Sequence, residues 1–73
     1  MTTTNKEAEA ALTKGINAGK NKDFDSAIIN FTKAIELDPK YAGAYLNRRI
    51  VYESLGKTKK SETDFAKAKS LEK

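Results

Sequence analysis

The sequence predicts an all-α fold of four short helices, arranged as two stacked helix–turn–helix hairpins in a fragment of an alpha-alpha superhelix. Three observations carry that expectation: apolar residues recur at three- and four-residue spacing almost throughout, Pro39 is the only proline, and the chain repeats itself at a shift of 34 residues. At that shift nine pairs are identical, against roughly three or four expected from composition alone. Among them Ala8/Ala42, Leu12/Leu46, Ile16/Ile50, Phe31/Phe65, Ala34/Ala68 and Leu37/Leu71 fall at equivalent places on helix faces.

The first helix opens at Thr4-Asn5-Lys6-Glu7, which has the spacing of a capping box: the threonine oxygen accepts an early backbone N–H while Glu7 reaches back. Ala8, Ala11, Leu12, Gly15, Ile16 and Ala18 follow as its apolar stripe, and Gly19-Lys20-Asn21-Lys22 ends it. Asp23, with Asp25 in the next turn, starts the second helix by accepting free N–H groups and complementing the positive end of the dipole. Its buried stripe is Ala27, Ile28, Phe31, Ala34, Ile35 and Leu37, and Asp38-Pro39 stops it because proline disfavours helix at the residue before it. A third helix runs from about Ala42 to Leu55 and closes at Gly56, a left-handed cap. A fourth, from about Thr58 to Leu71, has the thinner stripe Phe65, Ala68 and Leu71.

Seventy-three residues at 38% apolar permit one small core, so residues 1–73 are expected to form a single domain. Cysteine and histidine are absent, which removes disulfides, thiolate nucleophiles, zinc sites, serine–histidine dyads and the commonest neutral-pH acid–base group. No glycine-rich phosphate loop stands in their place. A non-enzyme without cofactor or metal is therefore expected. The net charge of +4 alternates in sign along the chain, whereas a nucleic-acid binder shows one continuous basic face, so nucleic acid is not the expected partner. The start carries no basic, then apolar, leader pattern, and no stretch approaches the ~20 apolar residues of a membrane span. A cytoplasmic protein without membrane contact is the resulting expectation.

The 34-residue period and the residues that mark it make the chain resemble the tetratricopeptide repeat family. Signature places are filled by Gly15, Ala18, Phe24, Ala27, Phe31, Ala34 and Pro39 in the first repeat, and by Tyr45, Tyr52, Gly56, Phe65 and Ala68 in the second. The resemblance places repeat one at about 8–41 and repeat two at about 42–73. Read physically, small residues at Gly15, Ala27 and Ala34 let helix backbones approach, while Phe24 and Phe31 fill the wedge beside them. Tyr45 and Tyr52 are expected to bury their rings and keep their hydroxyls near water.

The second repeat departs from the first where packing is tightest. Arg49 stands for Gly15, Thr58 for Phe24 and Ser61 for Ala27, and Lys73 stands where a second Pro39 would announce a third repeat. Arg49 must reach solvent or an acidic partner, since an unpaired buried guanidinium is costly, and the last two helices are free to splay. Residues 58–73 then serve as a polar end cap or as a loosely held hairpin that exchanges with a second molecule.

The resemblance implies a concave wall built from the first helix of each hairpin, binding a peptide or partner helix. Carried over residue by residue, that wall is Glu9, Leu12, Thr13, Ile16 and Lys20 with Leu46, Asn47, Ile50 and Glu53. Leu12/Ile16 and Leu46/Ile50 are each spaced i,i+4, form two adjoining patches, and are spare to the core stripes. Asn47 lies in Tyr45-Leu46-Asn47-Arg48, which looks like the segment that helps chaperone-binding members clamp a C-terminal carboxylate. The companion clamp positions hold Leu12 and Ile16, so the resemblance implies an apolar seat instead of a charged one. The expected function is a protein–protein interaction module, an adaptor or scaffold. One alternative is homodimerisation through the groove or the last hairpin. The other is a small basic RNA-contacting protein that uses Lys57, Lys59 and Lys60 beside Arg48 or Arg49.

Overall fold

A computed structural model describes residues 3–72; Met1, Thr2 and Lys73, and with Lys73 the missing second proline, lie outside the described residues. Four helices follow in order: α1 (Lys6–Lys20), α2 (Phe24–Leu37), α3 (Ala42–Ser54) and α4 (Thr58–Leu71). The described residues contain no strand. Helix α1 packs on α2, α3 packs on α4, and α2 packs on α3, which stacks the two hairpins side by side.

The caps follow from side-chain chemistry at each start, with one correction. Asn5, not Thr4, caps α1: its Oδ1 accepts from the Ala8 N–H at 3.0 Å. The amide also donates to the Leu37 carbonyl at 3.2 Å, so one side chain caps α1 and bonds the end of α2 at once. Thr3 takes the Asn5 N–H on its own oxygen, and its hydroxyl donates to Asp38. These bonds tie the start of α1 to the end of α2. At α2, Asp23 accepts from the Ser26 N–H as its sequence position implies. Helix α3 ends one residue earlier than expected, at Ser54, with Leu55 as its cap.

The two intra-hairpin turns are copies of each other. The Asp23 N–H donates to the Ala18 carbonyl at 2.9 Å, and 34 residues on the Lys57 N–H donates to the Tyr52 carbonyl at 2.8 Å. Both turns need a left-handed residue, which is Gly56 (φ 74°) in the second and Lys22 (φ 62°) in the first. A lysine held there bears a steric cost that glycine does not. Lys22→Gly is therefore expected to raise stability by about 0.5–1 kcal/mol after allowing for the looser unfolded chain, read as a higher urea midpoint. A lowered midpoint would mean that the turn is not under this strain.

Small residues hold the core together. One cluster joins Ala8, Ala11, Ala34, Tyr41 and Ala44, and a second joins Ala27, Phe31 and Val51. Phe31 is 2% exposed and lies directly on Gly15, where an added Cβ would sit 2.4 Å from the ring. Phe24 and Ile16 pack against the same cluster. Tyr45 is buried, but its hydroxyl donates to the Pro39 carbonyl at 3.0 Å instead of facing water. Burial raises the Tyr45 phenol above its ordinary pKa, because the charged form would lose its hydration.

Helix α4 is latched, not splayed. Arg48 donates from Nε and Nη2 to both oxygens of Asp64, each at 2.8 Å, and from Nη1 to Thr32 on α2 at 3.1 Å. Asp64 is 3% exposed. The bond from Asp64 pushes the Arg48 guanidinium further above its ordinary value, against the opposing effect of burial. Phe65, expected in the core, is 42% exposed. Its partner position carries Arg49 where Phe31 meets Gly15, so the ring lies outside, with Arg49 4.7 Å and Lys69 5.4 Å from its centre. Arg49 finds its acid one turn on, at Glu53 (3.6 Å), while its Nε is buried without a partner.

Candidate functional site

The site is built where α1 and α3 face each other. A groove of about 370 Å³ lies between them, bordered on α1 by Gly15, whose missing side chain makes room for the Phe31 ring, and by Gly19, which has no side chain to close the gap. A Cβ added at Gly19 would meet nothing within 4 Å. Phe31 and Val51 rise into the floor from the core, and Ile16, Phe24 and Ile50 form apolar walls. Ile50 is 52% exposed, so most of its side chain has no partner within the chain.

Polar groups sit at defined places around this apolar interior. Asn47 donates an amide N–H to the Gly43 carbonyl at 2.7 Å, one turn back, which fixes the side chain and leaves its oxygen to accept. The Ser54 hydroxyl donates to the Ile50 carbonyl. Lys20 and Lys22 stand at the end of α1 and in the turn after it, and no carboxylate lines the groove. The groove can therefore receive apolar side chains along its length, accept a backbone N–H at Asn47 and meet negative charge at the lysine end.

Of the residues expected on the concave wall, Ile16, Lys20, Asn47 and Ile50 come together around this groove. Glu9, Leu12, Thr13, Leu46 and Glu53 do not line it. Leu12 packs against both core clusters and Ile16 against one, so neither is spare to the core as the sequence suggested. Leu46 is half-buried, Glu9 and Thr13 are exposed, and Glu53 is occupied by Arg49. The residues missed were Gly15, Gly19, Lys22, Phe24, Phe31, Val51 and Ser54. The signal available for the first two was the pair of glycines spaced i,i+4 beside Ile16 and Lys20, a strip of helix without side chains.

In the other basic feature Arg48 is already paired. Lys59 and Lys60 do border a cavity with Arg48 and Tyr52, but Asp64 lines the same cavity and takes two of the Arg48 donors. Among the described residues no three His, Cys, Asp or Glu side chains come together as a metal site. No helix of the described residues is long and apolar enough to cross a membrane.

Comparison with known proteins gives a consistent picture. The profile of the tetratricopeptide repeat matches residues 8–41. Uncharacterized protein MJ0572 of Methanocaldococcus jannaschii is 34% identical over 68 residues, covering 93% of this chain and 79% of that protein. The Hsp70-Hsp90 organizing protein of Triticum aestivum is 42% identical over 63 residues, covering 81% of this chain and 11% of that protein. No solved structure matches the chain with comparable significance.

Proposed function

The chain belongs to the tetratricopeptide repeat family, and from that membership we propose that its two repeats, about 8–41 and 42–73, act as one cytoplasmic, non-catalytic module that binds a peptide or partner helix in the groove between α1 and α3. Repeats of this family mediate protein–protein interaction. The observation that carries the reading is Ile50, half exposed above an apolar floor in a groove with no carboxylate. The proposal assigns no cofactor, metal or reaction to the chain. Ile16, Phe24 and Ile50 supply apolar contact, Asn47 orients a backbone, and Lys20 favours negative charge at one end. Glu9, Leu12, Thr13, Leu46 and Glu53 belong to the same wall outside the groove.

One relative is named for organizing Hsp70 and Hsp90, yet this chain covers 11% of it. Only Asn47 matches the carboxylate-clamp pattern, with Leu12 and Ile16 at the companion places. An apolar segment with negative charge at one end is thus the proposed ligand rather than a clamped terminal carboxylate. A groove of this size supports affinity of roughly micromolar order.

The test is selection of binding peptides from a displayed random library, followed by titration of the selected peptide against variants. Ile50→Ser is expected to weaken binding by about tenfold or more without changing the thermal midpoint. Equal affinity of Ile50→Ser and the parent for every selected peptide would remove the groove assignment.

A further inference from the structure

A second apolar surface lies away from the groove and shares no lining residue with it. It is a shallow cavity of about 470 Å³ between α2 and the α3–α4 turn, with Ile28, Ile29, Tyr52 and Leu55 at its base. Ile29 is 67% exposed and Leu55 39% exposed, and neither packs against a core cluster. The exposed parts of both side chains find no partner within the chain, so showing them together costs solubility.

The rim of this surface is charged in opposite senses on its two walls. Asp25 stands on the α2 side and Lys57 and Lys60 on the α4 side. Among the described residues the ion pairs are Arg48–Asp64 and Arg49–Glu53, so none of these three rim charges is paired. We propose that this face is a two-fold interface between two copies of the chain. A two-fold axis running along the cavity carries each wall across to the opposite one, which sets Asp25 of one copy against Lys57 and Lys60 of the other, twice. The apolar bases meet between those pairs, Ile29 and Leu55 of one copy against the same residues of the other. A surface with apolar residues at its centre and complementary charge at its rim is self-complementary in the way an isologous contact requires.

The proposal is independent of groove binding, and one experiment separates them. Sedimentation equilibrium of the full chain is expected to show a monomer–dimer equilibrium with Kd in roughly the 10–100 µM range of a small interface. Ile29→Glu is expected to raise that Kd at least about tenfold with an unchanged circular dichroism spectrum. Asp25→Lys is expected to do the same by placing like charges together. Mixing Asp25→Lys with the Lys57→Asp/Lys60→Asp variant is expected to restore a dimer of the two. Ile50→Ser is expected to leave the Kd unaltered. A monomer at every concentration, an Ile29→Glu dimer as tight as the parent, or dissociation by Ile50→Ser in place of Ile29→Glu would each overturn the interface.

Discussion

Arg48→Ala is expected to destabilise the chain by about 3–5 kcal/mol, the loss typical when one partner of a buried ion pair is removed. For a domain of this length that is most of the net stability. The reason is the burial of Asp64, whose two oxygens both accept from Arg48. Without the guanidinium the carboxylate is left in the interior with no opposite charge. The same side chain bonds Thr32 on α2 and lies 5.8 Å and 5.6 Å from the ring centres of Tyr45 and Tyr52, so three helices loosen together. Asp64→Ala is expected to cost less, because Arg48 keeps 18% side-chain exposure and can turn its charge toward water. Arg48→Lys cannot restore the fork of two parallel bonds and should recover only part of the loss. The apolar pair Arg48→Met/Asp64→Leu should recover more than either single variant. Urea midpoints followed by circular dichroism decide the ranking. A loss below about 1 kcal/mol for Arg48→Ala would place the pair among surface salt bridges and leave α4 without its latch.

That latch marks the limit of what local reasoning reaches. Helix starts and stops were legible because Asp23, Pro39 and Gly56 act on their own backbone within a few residues. The correction at Asn5 came from longer range, since its amide serves Ala8 and the carbonyl of Leu37 on another helix at once. In the sequence Arg48 reads only as a member of a basic patch and Asp64 carries no signal of its own, and 34 residues earlier the same places hold Lys14 and Asn30, which form no ion pair in the structure. Repetition therefore hides the pair instead of revealing it. Phe65 errs in the opposite direction: its identity with Phe31 suggests equal burial, yet the residue facing it decides its position. In the groove, repetition correctly brought Ile16 and Ile50 together, since equivalent helix positions face the same way. The i,i+4 spacing did not bring Leu12 into the groove with Ile16, because four residues of helix advance about 400°, some 40° past a full turn, enough to point Leu12 onto both core clusters while Ile16 also borders the groove.

The contrast between Gly15 and Arg49 yields the other large effect. Gly15→Arg, which writes the second repeat's residue into the first, is expected to abolish cooperative folding. Even an alanine Cβ would lie 2.4 Å from Phe31 Cε1 and 2.5 Å from Cδ1, well inside any tolerated contact. Phe31 is packed against Ala27 of its own helix and Val51 of α3, so it can yield only toward the groove floor and at the expense of its burial. For Gly15→Ala the overpacking cost of about 1–3 kcal/mol is partly offset by about 1 kcal/mol of helix propensity. Arginine adds a long charged chain to the same collision, and its cost should exceed the few kcal/mol by which a small domain is stable. Shortening the ring in Gly15→Ala/Phe31→Leu should return part of the alanine loss, which ties the effect to this one contact. The reverse exchange is the control. Arg49→Gly removes a residue whose ring partner, Phe65, already lies outside the core, so about 1 kcal/mol of helix propensity and the half-exposed contacts to Glu53 and Phe65, each worth about 1 kcal/mol or less, are at stake. Thermal melts of the two exchanges should therefore differ sharply although each swaps the same pair of amino acids. If Gly15→Arg melted near the parent temperature, Phe31 would have an exit from the core, and the close approach of α1 to α2 at Gly15 would no longer explain why Phe31 is buried and Phe65 is not.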